Sequence, residues 1–199
     1  VKVLSQVIAQ IRQSLDLPVI LNTAVTAVQK FLFVDRLVIY QFHYGPLRQT
    51  QTETSVDRPV TKPRQQYGEI TYEARRSPDI SSMLNLSTEN DCFSQVLSYE
   101  QKFLKGAIIA VNDIEVQYSS SYCLMDLLRQ YQVRAKLVAP IIVEGKLWGL
   151  LIAHQCHYPR QWLDSEKNFL GQIGEHLAVA IVQSLSLIHI WRCRRSYAC

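Results

Sequence analysis

The sequence predicts an α+β domain: a central antiparallel sheet of five to six strands with helices at both chain ends. Three observations carry that prediction. Apolar residues recur at helical spacing near both termini. The middle of the chain holds short β-branched and aromatic runs. Two of these runs flank Glu144-Gly145, the residue types of a tight hairpin turn.

The elements follow in order. Leu4, Val7, Ile8, Ile11 and Leu15 form one stripe of an opening helix. Pro18 begins a second helix after Asp16, with Ile20, Ala24, Val28 and Leu32 on its inner face. A strand is predicted over 35–42, and strand character returns at 67–74. Between them, 43–66 is polar, contains three prolines and is too long for a simple hairpin, with an additional strand suggested at 50–56. Residues 90–105 read as helical up to Gly106, and 107–111 as a short strand. A short amphipathic helix beginning near Cys123 leads into the hairpin strands 132–143 and 146–157. On the second, Trp148, Leu150, Ile152, His154 and Cys156 share a face by the period of two. A helix over 162–186, striped by Phe169, Ile173, Leu177 and Ile181, closes the domain.

The chain has 199 residues, 48% hydrophobic and 19% charged, which suits one soluble domain with a full core. The net charge of +4 falls to +1 (4 minus 3) without 187–199, where Arg192, Arg194 and Arg195 meet no acid. That balance gives no basic surface for nucleic acid. The 187–199 segment also breaks the helical stripe and is read as an appended tail outside a 1–186 domain. No run is apolar enough to cross a bilayer, and no secretory signal opens the chain. Five cysteines without zinc-ligand spacing suggest reduced thiols in the cytoplasm.

For chemistry, the informative residues are a thiol at a helix start, Cys123, and an imidazole near the end of a strand, His154. A helix N-terminus favours a thiolate. By itself the cysteine reads more often as a buried core residue, and the histidine can equally be a strand-end residue facing solvent. A hydrolase or transferase using Cys123 with His154 or His157 lacks any accompanying oxyanion-hole motif.

The order of local motifs is more specific. Asp35-Arg36-Leu37-Val38-Ile39-Tyr40-Gln41-Phe42, Asp91-Cys92-Phe93, Asn112-Asp113-Ile114, Cys123 with Leu127-Leu128, Val133 to Ile141, and Leu147 to Cys156 running into Pro159-Arg160-Gln161-Trp162 together resemble a cyanobacteriochrome, a bilin-binding GAF domain of the phytochrome superfamily. The likeness covers 1–186. It implies a GAF fold with the terminal helices on one sheet face and a bilin cleft on the other. It further implies a linear tetrapyrrole joined to Cys123 by a thioether, and Z/E isomerisation beside the D-ring that controls an adjacent signalling domain. Phycocyanobilin is the expected pigment, with biliverdin and phycoviolobilin as alternatives.

In that resemblance His154 approaches the D-ring and Tyr40 packs near it, while Lys105, Arg134, Lys136 and Tyr131 are candidate partners of the propionates. Cys156 reads as packing. Leu124 stands where family members usually carry a histidine that stacks on the chromophore. Asn90 stands where one subgroup has an aspartate that hydrogen-bonds the pyrrole nitrogens; Asp91 or Glu89 compensates if the loop shifts by one residue. Cys92, followed by Phe93, is either a second, reversible linkage to the central methine bridge or an inert helix cysteine. The partners implied are the pigment, the signalling domain and a second copy through the terminal helices. No enzyme reaction is implied. The alternative is a non-photosensory GAF domain that binds a small ligand such as a cyclic nucleotide, although no Gly-rich phosphate loop is present.

Overall fold

The computed structural model describes residues 2–44, 66–87, 99–119 and 121–196. Helices α1 (Lys2–Ile11) and α2 (Leu17–Leu32) precede strands β1 (Arg36–Tyr44) and β2 (Gln66–Arg75). Next come α3 (Glu100–Leu104), β3 (Ile109–Val111), α4 (Ile114–Gln117) and α5 (Tyr122–Gln130). Strands β4 (Ala135–Val143) and β5 (Lys146–Gln155) and helix α6 (Asp164–Ser196) complete the order. The strands form one antiparallel sheet in the order β2-β1-β5-β4-β3. This is the predicted α+β class.

One face of the sheet carries α1, α2 and α6. Pro18 lies in the first turn of α2, where its missing N–H costs no helical bond. The predicted stripes of α2 (Ile20, Ala24, Val28, Leu32) and α6 (Phe169, Ile173, Leu177, Ile181) are buried against Leu37, Ile39, Leu137, Ala139, Leu151 and Ala153 of the sheet. Burial of a large aliphatic or aromatic side chain contributes roughly 1.5–3 kcal/mol, so these stripes hold the layers together. Gly174 brings α6 close: a Cβ there would lie 2.5 Å from the Pro140 carbonyl oxygen of β4. Glu144 and Gly145 both have positive φ, 50° and 75°, as a tight hairpin turn requires.

The structure corrects several local expectations. Helix α1 ends at Ile11, leaving Leu15 outside it and 74% exposed. Strand β4 starts at Ala135 rather than 132, because Gln132 takes a left-handed φ of 59° and turns the chain out of α5. Trp148 does not share the face of Leu150 and Ile152. The β4–β5 register shifts between Ile141 and Ile142, and this bulge turns Trp148 toward the helices. The backbone of α6 stays helical to Ser196, beyond the point where the apolar stripe breaks. The strand suggested at 50–56 and most of the helix suggested at 90–105 lie outside the described residues; α3 represents the latter's end.

Candidate functional site

The opposite face of the sheet is the floor of a cleft. Tyr40 from β1, Ile70 from β2, Val138 and Lys136 from β4, and Leu150, Ile152 and His154 from β5 form that floor. Leu124 and Leu128 of α5, Phe103 of α3, Tyr99 and Tyr118, and Met83 and Leu86 of the 77–87 segment form the walls. The lining is apolar apart from two side chains with basic nitrogen and three tyrosines. About 80 Å³ of the cleft is free space. Drug-sized ligands occupy pockets of roughly 300–1,000 Å³, so a large ligand requires its walls to move outward.

Strand register sets the polar part of this floor. Arg36 lies directly opposite His154 in the β1–β5 pair, and Lys136 lies opposite His154 in the β4–β5 pair. Three basic side chains therefore form a row across adjacent strands on one face. His154 is 3% exposed, and its Nδ1 accepts a hydrogen bond of 3.1 Å from Arg36 Nε. A guanidinium has donors only, so Nδ1 carries the lone pair and the imidazole proton sits on Nε2. Burial, followed by the Arg36 and Lys136 charges, holds His154 well below the ordinary histidine pKa. The neutral ring thus supplies one N–H donor.

Lys136 places its ammonium 4.7 Å from the centre of the Tyr118 ring. Its remaining exposure is at the cleft it lines. Burial lowers its pKa to about 8 and raises that of Tyr118 to about 12. The folded state holds the Lys136 proton less tightly than the unfolded chain, whose value is near 10.5. The charge therefore disfavours folding below about pH 8, and stability is recovered as pH rises from about 8 to 10.5. Lys136→Met is expected to raise the unfolding free energy measured in urea at pH 7 by about 1 kcal/mol. That advantage should shrink at pH 10. A variant no more stable than the parent at pH 7 would contradict this account.

Asp35, just before β1, anchors the end of β5. Its carboxylate accepts from the Cys156 backbone N–H at 2.7 Å and from the Gln155 side-chain amide. Cys156 is a buried free thiol, pushed up to about 11 chiefly by burial, which agrees with a packing role. The Tyr40 ring is edge-on to Phe42 and lies over Gly68, where a Cβ would fall inside the ring.

Cys123 lies on the exposed side of the first turn of α5, and the next residue, Leu124, is buried and lines the cleft. Cys123 is disulfide-bonded, which differs from the expectation of reduced thiols throughout. Of the four suggested propionate partners, Lys136 lines the cleft. Arg134 instead gives its guanidinium to Asp113, at 3.1 and 3.2 Å. Lys105 is exposed beyond the end of α3. Tyr131 packs between the two small clusters beside the cleft and offers its carbonyl to Arg36. Asn90, Asp91, Cys92 and Phe93 lie outside the described residues, as does nearly all of the 43–66 insertion.

Sequence reasoning assigned no role to Arg36 or to the 77–87 segment. A signal for Arg36 existed: it shares the period-two face of Val38, Tyr40 and Phe42, all of them buried. A charge on that face needs acceptors in the interior.

A family model described as the GAF domain matches residues 16–181. The chain belongs to the GAF domain family. This GAF domain is 74% identical over 197 residues to the circadian input-output histidine kinase CikA of Synechocystis sp. (strain ATCC 27184 / PCC 6803 / Kazusa), covering 99% of this chain and 26% of that protein. The chain spans about a quarter of the length of this and two further CikA relatives (26%, 23% and 24%). It also resembles the phycoerythrobilin-bound GAF domain from a cyanobacterial phytochrome, with a TM-score of 0.69 at 27% identity over 94% of this chain and 96% of that one. The phycocyanobilin-bound GAF domain from a cyanobacterial phytochrome gives a TM-score of 0.69 at 26% identity, covering 92% and 93%. Among the described residues, no helix is long and apolar enough to cross a membrane.

Proposed function

We propose that this GAF domain is the cytoplasmic light-sensing input of a longer signalling protein and binds a linear tetrapyrrole covalently through Cys123. The observation that carries this reading is the pairing of an apolar cleft with polar groups at fixed places. His154 supplies a neutral N–H donor on the floor, Lys136 supplies a cation, and α5 lines one wall while beginning beside Cys123. Such a lining fits a flat, largely apolar pigment that carries ring carbonyls and carboxylates. The likeness to GAF domains bound to phycocyanobilin and phycoerythrobilin supports the same ligand class.

When bound, the pigment supplies the light absorption and the double-bond isomerisation. The residues of the chain hold it and respond to it. Cys123, as a free thiolate, would hold the pigment through a thioether to a vinyl or ethylidene side chain, its sulfur adding across that double bond while the neighbouring carbon takes up a proton. His154 donates from Nε2 to a ring carbonyl, and Tyr40 packs beside it. Lys136 pairs with a propionate, which offsets the cost of its buried charge. Altered contacts at His154 and Tyr40 would reach α6 through β5 and its neighbour β4, the strand on which α6 chiefly packs, and α6 would carry them to the signalling domain. Val179 and Leu185 are half-exposed on α6, which suits pairing with a second copy. The domain itself carries no reaction in this reading.

The test is absorption of the protein purified from cells that make phycocyanobilin, before and after illumination and again after acid denaturation. A reversible colour change with pigment retained in denaturant is expected. A colourless product, with pigment supply verified, would instead favour a GAF domain for another small ligand. Ligation also needs a free thiol at Cys123. Pigment-free protein held oxidised should therefore acquire little covalent pigment, and prior treatment with a thiol reductant should raise the yield severalfold. Equal yields under both conditions would show that the disulfide does not control loading.

A further inference from the structure

Arg36 is fully buried at 0% exposure, yet no carboxylate hydrogen-bonds it among the described residues. Its donors go to three separate segments. Nε donates to His154 Nδ1 of β5 at 3.1 Å. One terminal nitrogen donates to the Ser81 carbonyl in the 77–87 segment at 2.6 Å, and the other to the Tyr131 carbonyl at 3.0 Å. Tyr131 caps the C-terminal end of α5, where carbonyls lack helical partners. The tie is doubled next door, because the Ser81 N–H donates to the Gln132 side-chain carbonyl at 2.9 Å. The floor of the cleft, the end of its α5 wall and its 77–87 wall thus meet at one guanidinium.

We infer that Arg36 is a positioning residue: it holds His154 with Nε2–H as the free donor and ties that ring to the 77–87 wall and to the end of α5. The planar fork of the guanidinium explains why arginine serves here, since three acceptors in different directions need rigidly spaced donors. The three acceptors also share one dependency. If His154 turns to follow a changed partner in the cleft, Nδ1 leaves Nε, and a buried cation loses one of three acceptors. The guanidinium must then shift, and the Ser81 and Tyr131 carbonyls shift with it. Both walls would register an event on the floor without contacting the group that caused it. The inference rests on the photosensor reading only for what His154 would meet in the cleft; the tie itself belongs to the chain.

The test needs no pigment, so its failure is distinct from failure of the photosensor reading. Nitrogen-15 NMR of histidine-labelled protein, with the His154 signal assigned by its loss in His154→Gln, should show a protonated Nε2 and an unprotonated Nδ1. A protonated Nδ1 would overturn the inference. Hydrogen exchange at backbone amides 80–83 and 131–133 provides the second readout. His154→Leu removes the acceptor and should accelerate exchange there about tenfold or more. His154→Gln keeps an acceptor for Arg36 and should stay within about twofold of the parent. Parental exchange in His154→Leu, equal acceleration in both variants, or acceleration spread evenly over the sheet would each overturn the tie.

Discussion

Gly174→Val is expected to be the most damaging single substitution in the helical layer, lowering stability by about 3 kcal/mol or more. Gly174 faces β4, and its Cβ would meet the Pro140 carbonyl oxygen at 2.5 Å. That oxygen belongs to the backbone of a central strand, so no rotamer change relieves the contact. Helix α6 would have to move away, separating Ile173, Leu177 and Ile181 from the sheet they cover. Gly171 is the internal control. A Cβ there meets the Ile108 Cδ1 at 2.7 Å, the far end of a flexible side chain. Gly171→Ala also gains helix propensity of about 1 kcal/mol, so it should be close to neutral. Urea unfolding should give a much lower midpoint for Gly174→Val and little change for Gly171→Ala. Equal effects at the two positions would mean that close approach to Pro140 does not govern how α6 packs.

Cys123→Ala is expected to remove essentially all pigment that survives denaturation, while leaving the fold intact. The side chain is exposed, so its truncation leaves no cavity. Because Cys123 is disulfide-bonded, stability should be compared under thiol reductant, where both proteins lack that cross-link. The readout is pigment retained on a denaturing gel, detected by its fluorescence with zinc. Noncovalent colour that washes out would agree with an intact cleft that lacks its anchor. Retention at the parental level would move the attachment to another cysteine and end the assignment to Cys123.

These effects differ in how far the sequence foretold them. Cys123 became a candidate attachment site only through the resemblance carried by the motifs around it, since a lone thiol at a helix start reads more often as a core residue. Its exposure, with Leu124 turned into the cleft, came from the structure. The conflict at Gly174 was not legible, since nothing in the sequence states how near α6 comes to Pro140. Arg134 and Lys136 show the same division within one strand. Their alternation with apolar residues was plain, but Arg134 precedes β4 and turns to Asp113, whereas Lys136 lies in β4 and lines the cleft.

By itself the sequence determined the α2 and α6 stripes, the hairpin at Glu144-Gly145 and the strands that build the sheet. Each depends on periodicity or turn chemistry within a few residues. The resemblance carried by its motifs also led to the GAF family. Tertiary structure alone decided that β5 lies between β1 and β4, and so that Arg36, His154 and Lys136 stand in one row. It decided that Trp148 faces the helices, and that Arg36 gathers Ser81, Tyr131 and His154. The physical reason is range. Side-chain period is a property of neighbouring residues, whereas strand order, bulges and the acceptors of a buried cation arise from segments tens of residues apart competing for the same interior.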